Sequence, residues 1–141
     1  MAKSEIIDEW RHGRTCVFKL QVQLVFVTKY RRPVFTKRIL NRLAAILRET
    51  CEQMGGELLE FNGEHDHIHL LVSYPPKTSL SNLAGKLKGK AAYHLRREFA
   101  PELKAKLWGA HFWSPSYCAV ACGGAALAVI QSYIQAQATP E

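Results

Sequence analysis

The sequence contains no apolar run approaching the roughly 18 residues of a membrane-spanning helix, so no transmembrane segment is expected. Its first 15 residues, MAKSEIIDEWRHGRT, lack the apolar stretch of a secretory signal, and the cytoplasm is the expected address. There is no internal repeat, low-complexity tract or linker. The four cysteines, Cys16, Cys51, Cys118 and Cys122, match no zinc-binding spacing; reduced, mostly buried thiols are expected. Acids are scarce where bases are dense. From Lys29 to Arg48 there are seven basic residues and no acid; from Lys77 to Lys106 there are eight against Glu98 and Glu102 alone. What remains is an ordinary globular composition, 141 residues with 48% apolar and 22% charged, which excludes disorder and predicts one domain over 1–141. The net charge of +7 suits a polyanion partner such as nucleic acid.

Residues 1–15 read as an irregular arm. Residues 17–28 read as a strand, with Phe18, Leu20, Val22, Leu24 and Phe26 on one face and Lys19, Gln21 and Gln23 on the other. Thr36 can cap a helix running to about Met54, with Ile39, Leu40, Leu43, Ile46, Leu47 and Met54 as its apolar stripe and Gly55-Gly56 as its stop. Two strands, 57–61 and 65–74, are expected around an Asn62-Gly63 hairpin turn. A second helix over 79–99 buries Leu80, Leu83, Leu87, Ala91 and Leu95, and collects Lys86, Lys90, Tyr93 and Arg97 on a basic face. A last strand follows Pro115, and a helix over 125–138 follows Gly123-Gly124. The order β-α-β-β-α-β plus one helix predicts an α+β, ferredoxin-like (RRM-like) fold. It has a four-stranded antiparallel sheet, helices on one face and the other face free for chemistry.

The run His65-Asp66-His67-Ile68-His69 places its histidines at alternate positions of a strand, hence together on that free face. Two imidazoles at i and i+2 lie about 6–7 Å apart, close enough to share one metal ion. No thiolate is near, which disfavours structural zinc. Histidines with oxygen ligands and open positions suit a catalytic Mg²⁺ or Mn²⁺ ion. In the last helix, Tyr133 and Gln137 share a face beside Leu127, Ile130 and Ile134. Periodicity alone makes them an aromatic and a polar residue at the edge of an apolar stripe.

The chain resembles the small single-tyrosine HUH transposases of bacterial insertion sequences, the TnpA type, over nearly its whole length. The blocks carrying the resemblance are Lys29-Tyr30-Arg31-Arg32, Asp66-His67-Ile68-His69-Leu70-Leu71 and Leu87-Lys88-Gly89-Lys90. They continue with Leu107-Trp108, Phe112-Trp113-Ser114-Pro115-Ser116-Tyr117, Gly123-Gly124-Ala125 and Tyr133-Ile134-Gln135-Ala136-Gln137. The resemblance implies that His67, His69 and Gln137 hold a divalent metal and that Tyr133 is the nucleophile. Cleavage of single-stranded DNA would leave a 5′-phosphotyrosine and a free 3′-OH, and a later 3′-OH attack would rejoin ends. It further implies a homodimer in which one subunit's tyrosine helix serves its partner's histidines, recognition of DNA hairpins at element ends, and residence at the nucleoid. Lys29, Tyr30, Arg31, Arg32, Lys86, Lys90 and Arg97 are the expected DNA contacts. Tyr30, Trp113 and Tyr117 could stack on unpaired bases, although Trp113 and Tyr117 suit a core equally well.

The sequence departs from the family pattern in places. His65 stands where many relatives have proline, Ala126 follows Gly123-Gly124-Ala125 where proline is frequent, and four residues follow Gln137. Two rival readings exist. A histidine-triad nucleotide hydrolase would need an apolar residue where Asp66 stands. A binding module without catalysis would share the fold, but the aromatic signature of RNA-recognition motifs is missing.

Overall fold

The computed structural model describes residues 10–13, 15–107, 109, 111–121 and 127–137. A short hairpin of β1 (Arg11–His12) and β2 (Val17–Phe18) precedes β3 (Gln21–Val27). Then follow α1 (Lys37–Gln53), β4 (Glu57–Gly63), β5 (His67–Ser73), α2 (Leu80–Glu98), α3 (Ala100–Lys106), β6 (Cys118–Ala121) and α4 (Leu127–Ala136). The main sheet has the order β4-β5-β3-β6, with every neighbouring pair antiparallel. This is the split β-α-β, ferredoxin-like arrangement expected from the sequence.

Both long helices start where a hydroxyl can cap them. The Thr36 side chain accepts the Ile39 N–H at 3.2 Å, and the Ser79 side chain accepts the Asn82 N–H at 3.1 Å. One face of the sheet carries Val22, Leu24, Phe26, Ile68, Leu70 and Val72. They pack against Ile39, Leu43 and Leu47 of α1 and Leu83, Leu87, Ala91 and Leu95 of α2. Burying each such Leu, Ile or Phe contributes about 1.5–3 kcal/mol, so this layer is the main source of stability.

Four expectations need correction. The strand expected over 17–28 is interrupted at Lys19-Leu20, so Phe18 belongs to the β1–β2 hairpin and not to the main sheet. Asn62-Gly63 is not a turn. Asn62 pairs with His69 and Gly63 with Ile68 inside the β4–β5 ladder. Gly63 is needed there for space, because a Cβ would stand 2.5 Å from Leu40 Cδ2 of α1. The turn follows directly, at Glu64–Asp66, closed by the Glu64 N–H on the His67 carbonyl at 2.8 Å. Consequently β5 begins at His67, and His65 sits exposed in the turn rather than on the strand face. Finally, the second sheet face is not entirely open. Val25 and Val27 are buried there with Ile130 of α4. The helix α3, with Pro101 in its first turn, had no expected counterpart.

Candidate active site and nucleic-acid interface

β5 has two chemically different faces. Ile68, Leu70 and Val72 enter the core, while His67 and His69 stand on the opposite face beside their cross-strand partners Val27 and Val25. The His67 Nδ1–H donates to Asp66 Oδ1 at 2.8 Å, since a carboxylate can only accept. In a neutral imidazole that places the lone pair on Nε2. Asp66 is only 2% exposed, and its other oxygen accepts Arg31 Nε–H at 2.9 Å. Burial alone would raise the Asp66 pKa. The hydrogen bonds from His67 and Arg31, with the nearby charges of Arg31 and His65, outweigh it and hold the carboxyl below its ordinary value. His69 Nε2 lies 3.3 Å from Gln23 Oε1. Burial first, and the neighbouring His67 second, push the His69 pKa down, which favours the neutral, lone-pair-bearing imidazole.

Helix α4 lies on this same face. Ile130 is buried on Val25 and Val27, and Tyr133 and Ile134 pack at the edge of that cluster with Cys118 and Val120. The side chain of Leu127 is outside the described residues. The Tyr133 and Ser116 hydroxyls are hydrogen-bonded at 2.8 Å, and the Ser114 hydroxyl donates to Gln137 Oε1. Burial raises the Tyr133 pKa, partly offset by the Ser116 bond and reinforced by Cys118. The serines are held in turn. Lys88 Nζ of α2 donates to the Ser114 carbonyl at 2.8 Å and the Ser116 carbonyl at 3.1 Å, while Trp113 Nε1 donates to the Lys88 carbonyl at 3.0 Å. The Ser114 N–H donates to the Val27 carbonyl at 2.7 Å, fixing this segment to the edge of β3.

Two basic surfaces are exposed, one on the turn after β3 and one on α2. After β3, Lys29–Arg31 form a single 3₁₀ turn in which Tyr30 (φ 58°) and Arg31 (φ 53°) are left-handed. Each such non-glycine residue costs on the order of 1–3 kcal/mol. Tyr30 is turned out to solvent, with Lys29 Nζ 5.1 Å and Arg32 Cζ 6.0 Å from its ring centre. On α2, Lys86, Lys90, Tyr93 and Arg97 are all exposed, and Arg97 donates to the Tyr93 hydroxyl at 2.5 Å. Gly85 and Gly89 lie beside them, and a Cβ at either would meet nothing within 4 Å.

Residues 16–137 match the family described as "Transposase IS200 like". The chain belongs to the IS200-like transposase family. It is 37% identical over 131 residues to the ISDra2 transposase TnpA of Deinococcus radiodurans, covering 92% of this chain and 91% of that one. It is 40% identical over 114 residues to the transposase for insertion sequence element IS200 of Salmonella typhimurium, covering 81% of this chain and 74% of that one. A chain from Deinococcus radiodurans R1 described as a transposase, solved by crystallography, superimposes with a TM-score of 0.83. The two are 35% identical, with 92% of this chain and 99% of that one covered. A REP-associated tyrosine transposase solved with a REP hairpin shares the fold at a TM-score of 0.54 and 14% identity, covering 93% and 68% of the two chains.

In this transposase, His67, His69, Tyr133 and Gln137 therefore share one sheet face, with Tyr133 and Gln137 engaged by Ser116 and Ser114. Among the described residues, no group of three or more His, Cys, Asp and Glu is placed to hold a metal ion. Trp113 is a core residue, 7% exposed, and Tyr117 packs edge-on against Phe26 with ring centres 6.4 Å apart. That leaves Tyr30 as the exposed ring of the three named as base-stacking candidates. Arg31, expected at a phosphate, spends its Nε–H on Asp66. Trp108 and Cys122–Ala125 lie outside the described residues. The contributions of Lys88, Ser114, Ser116 and Asp66 were not assigned from sequence. Each sits in a motif block quoted above, but its partner is distant along the chain.

Proposed function

We propose that this transposase cuts and rejoins single-stranded DNA at the ends of a small insertion sequence through a covalent bond to Tyr133. The carrying observation is that two imidazoles prepared as ligands share a sheet face with the phenol of Tyr133 and the amide of Gln137. The Tyr133 oxygen would attack the scissile phosphorus. The P–O3′ bond breaks, the 3′ oxygen leaves as a 3′-OH after gaining a proton, and the 5′ end remains on the tyrosine. Attack by another 3′-OH reverses these bonds and returns the phenol, with no external energy source.

The donor set fits a divalent ion. His67 offers a free Nε2 lone pair because Nδ1 is tied to Asp66, His69 is kept neutral by burial, and Gln137 carries an amide oxygen. Imidazole ligands favour Mn²⁺ over Mg²⁺ in affinity, and cellular abundance favours Mg²⁺. When bound, such an ion would polarise the phosphate and ease ionisation of the Tyr133 phenol, whose pKa burial raises. The protein's own part is positional. Ser116 holds the Tyr133 hydroxyl, Ser114 holds the Gln137 oxygen, and Lys88 fixes the loop that carries both serines. Both groups would leave these seats to join the histidines, of the same subunit or of a partner in a homodimer.

Lys29, Arg32, Lys86, Lys90 and Arg97 would neutralise phosphates, and Tyr30 would stack on an unpaired base. DNA hairpins are the proposed recognition element, and the nucleoid the proposed place of action. A denaturing gel with labelled hairpin-bearing single-stranded DNA tests the reading. An adduct that needs Mn²⁺ or Mg²⁺ and vanishes in Tyr133→Phe is expected. Hairpin binding without any adduct would instead make the protein a binding module.

A further inference from the structure

The strained turn after β3 has a structural consequence beyond presenting Tyr30. The two successive left-handed residues turn the chain sharply, and their side chains part. Tyr30 goes to solvent with Lys29 and Arg32 around it, and Arg31 goes inward to Asp66. The turn is stitched to the β4–β5 turn at several points. The Thr28 N–H donates to the Asp66 carbonyl at 3.0 Å, and the Phe35 N–H donates to the His65 carbonyl at 2.9 Å. The buried Thr28 hydroxyl lies 2.8 Å from the Arg32 carbonyl and 3.1 Å from the Asp66 carbonyl. Asp66 thus has a fixed backbone, a side chain 2% exposed, and one oxygen each for Arg31 and His67. Nothing about DNA charge requires an arginine to turn inward at such conformational cost.

We propose that Arg31 and Asp66 are positioning residues for the metal site: Asp66, oriented by Arg31, holds His67 in the Nδ1–H tautomer whose Nε2 is free to bind metal. This rests on the function proposed above. The same turn carries Lys29, Tyr30 and Arg32, so the segment offered to DNA and the orientation of His67 belong to one rigid unit. A carboxylate is required because it only accepts hydrogen bonds. An asparagine can present its NH₂ to Nδ1, which selects the opposite tautomer and occupies Nε2 with a proton.

The test uses the full chain, labelled with ¹⁵N-histidine and free of metal, at a pH where imidazoles are neutral. Two-bond ¹⁵N–¹H spectra should show His67 as Nδ1–H in the native protein and as Nε2–H in Asp66→Asn. Mn²⁺ affinity, read by electron paramagnetic resonance of the free ion, should fall about 10–100-fold in Asp66→Asn. Arg31→Met should weaken Mn²⁺ binding and Arg31→Lys should restore part of it, which covers the case in which Asp66→Asn does not fold. A native Nε2–H tautomer, or native Mn²⁺ affinity in a folded Asp66→Asn or in Arg31→Met, overturns the proposal. The two readings fail separately. Mn²⁺ binding with no DNA adduct in the native protein sinks the proposed function alone, whereas unchanged Mn²⁺ affinity in the variants sinks the positioning role alone.

Discussion

Replacing Gly85 and Gly89 with alanine is expected to stabilise the transposase while weakening its grip on DNA. Both glycines lie inside α2, and neither is among the glycines with positive φ, so alanine can adopt the same backbone. A Cβ at either position meets nothing within 4 Å, so no overpacking cost arises. Glycine in a helix interior is about 0.8–1 kcal/mol less favourable than alanine, which gives roughly 2 kcal/mol for the pair. For a chain of this length that corresponds to a rise in Tm of about 5–7 °C. The sequence retains this destabilisation on the face that bears Lys86 and Lys90, where the two missing side chains leave a bare track of backbone. If a phosphate strand lies along that track, two methyl groups hold it away from both ammonium groups. Calorimetry of the double variant and fluorescence anisotropy with a labelled hairpin give both readouts. A Tm that does not rise would refute the helix-propensity reasoning. A higher Tm with unchanged DNA affinity would show that the track faces solvent and not DNA.

Three further outcomes are expected. Changing Lys86, Lys90 and Arg97 together to alanine should reduce the slope of log affinity against log salt by about 2, because each lost phosphate contact on single-stranded DNA removes about 0.7. Lys88→Met should leave hairpin affinity nearly unchanged but slow adduct formation, since the Ser114 and Ser116 carbonyls lose their common donor; adduct formation at the native rate would show that the loop holds its shape without it. With a thiol reagent at mild pH, exposed Cys16 should react at once, while Cys51, fully buried and with its pKa raised to about 12 by burial, should react only as the chain opens. Because the folded state keeps the Cys51 proton, that thiol's contribution to stability should be lost as pH rises from about 9 towards 12. Rapid labelling of Cys51 in the folded protein would contradict its burial.

The parts of the fold that were legible in the sequence are those governed by local periodicity. Thr36 announces its helix because capping is decided within three residues, and Val22, Leu24 and Phe26 announce a strand because alternation is local. Asn62-Gly63 misled for the same reason. Its turn propensity is local, but Gly63 answers to Leu40 across the β4–α1 contact, and packing prevailed over propensity. The shared face of His67 and His69 followed from spacing. The hydrogen-bond partners of the site did not, because Asp66 meets Arg31 across 35 residues and Lys88 meets Ser114 across 26.

The two halves of the candidate site are held with very different firmness, and this bears on how the chemistry can proceed. His67 and His69 are part of a strand paired on both sides, backed by the fully buried Ile68 and Leu70. Tyr133 and Gln137 ride on a helix whose described side chains include one buried residue, Ile130, supplemented by two hydroxyl contacts. Among the described side chains, one buried isoleucine at about 1.5–3 kcal/mol and two hydrogen bonds at about 1 kcal/mol each hold α4 to the sheet, with half-buried Tyr133 and Ile134 packed beside them. In the proposed reaction a ligand pair must be rigid to hold its geometry, and a nucleophile that also releases and rejoins strands must be able to leave. Among the described residues, the buried contacts concentrate under the histidines and are few under the tyrosine, which suits the two to those proposed roles.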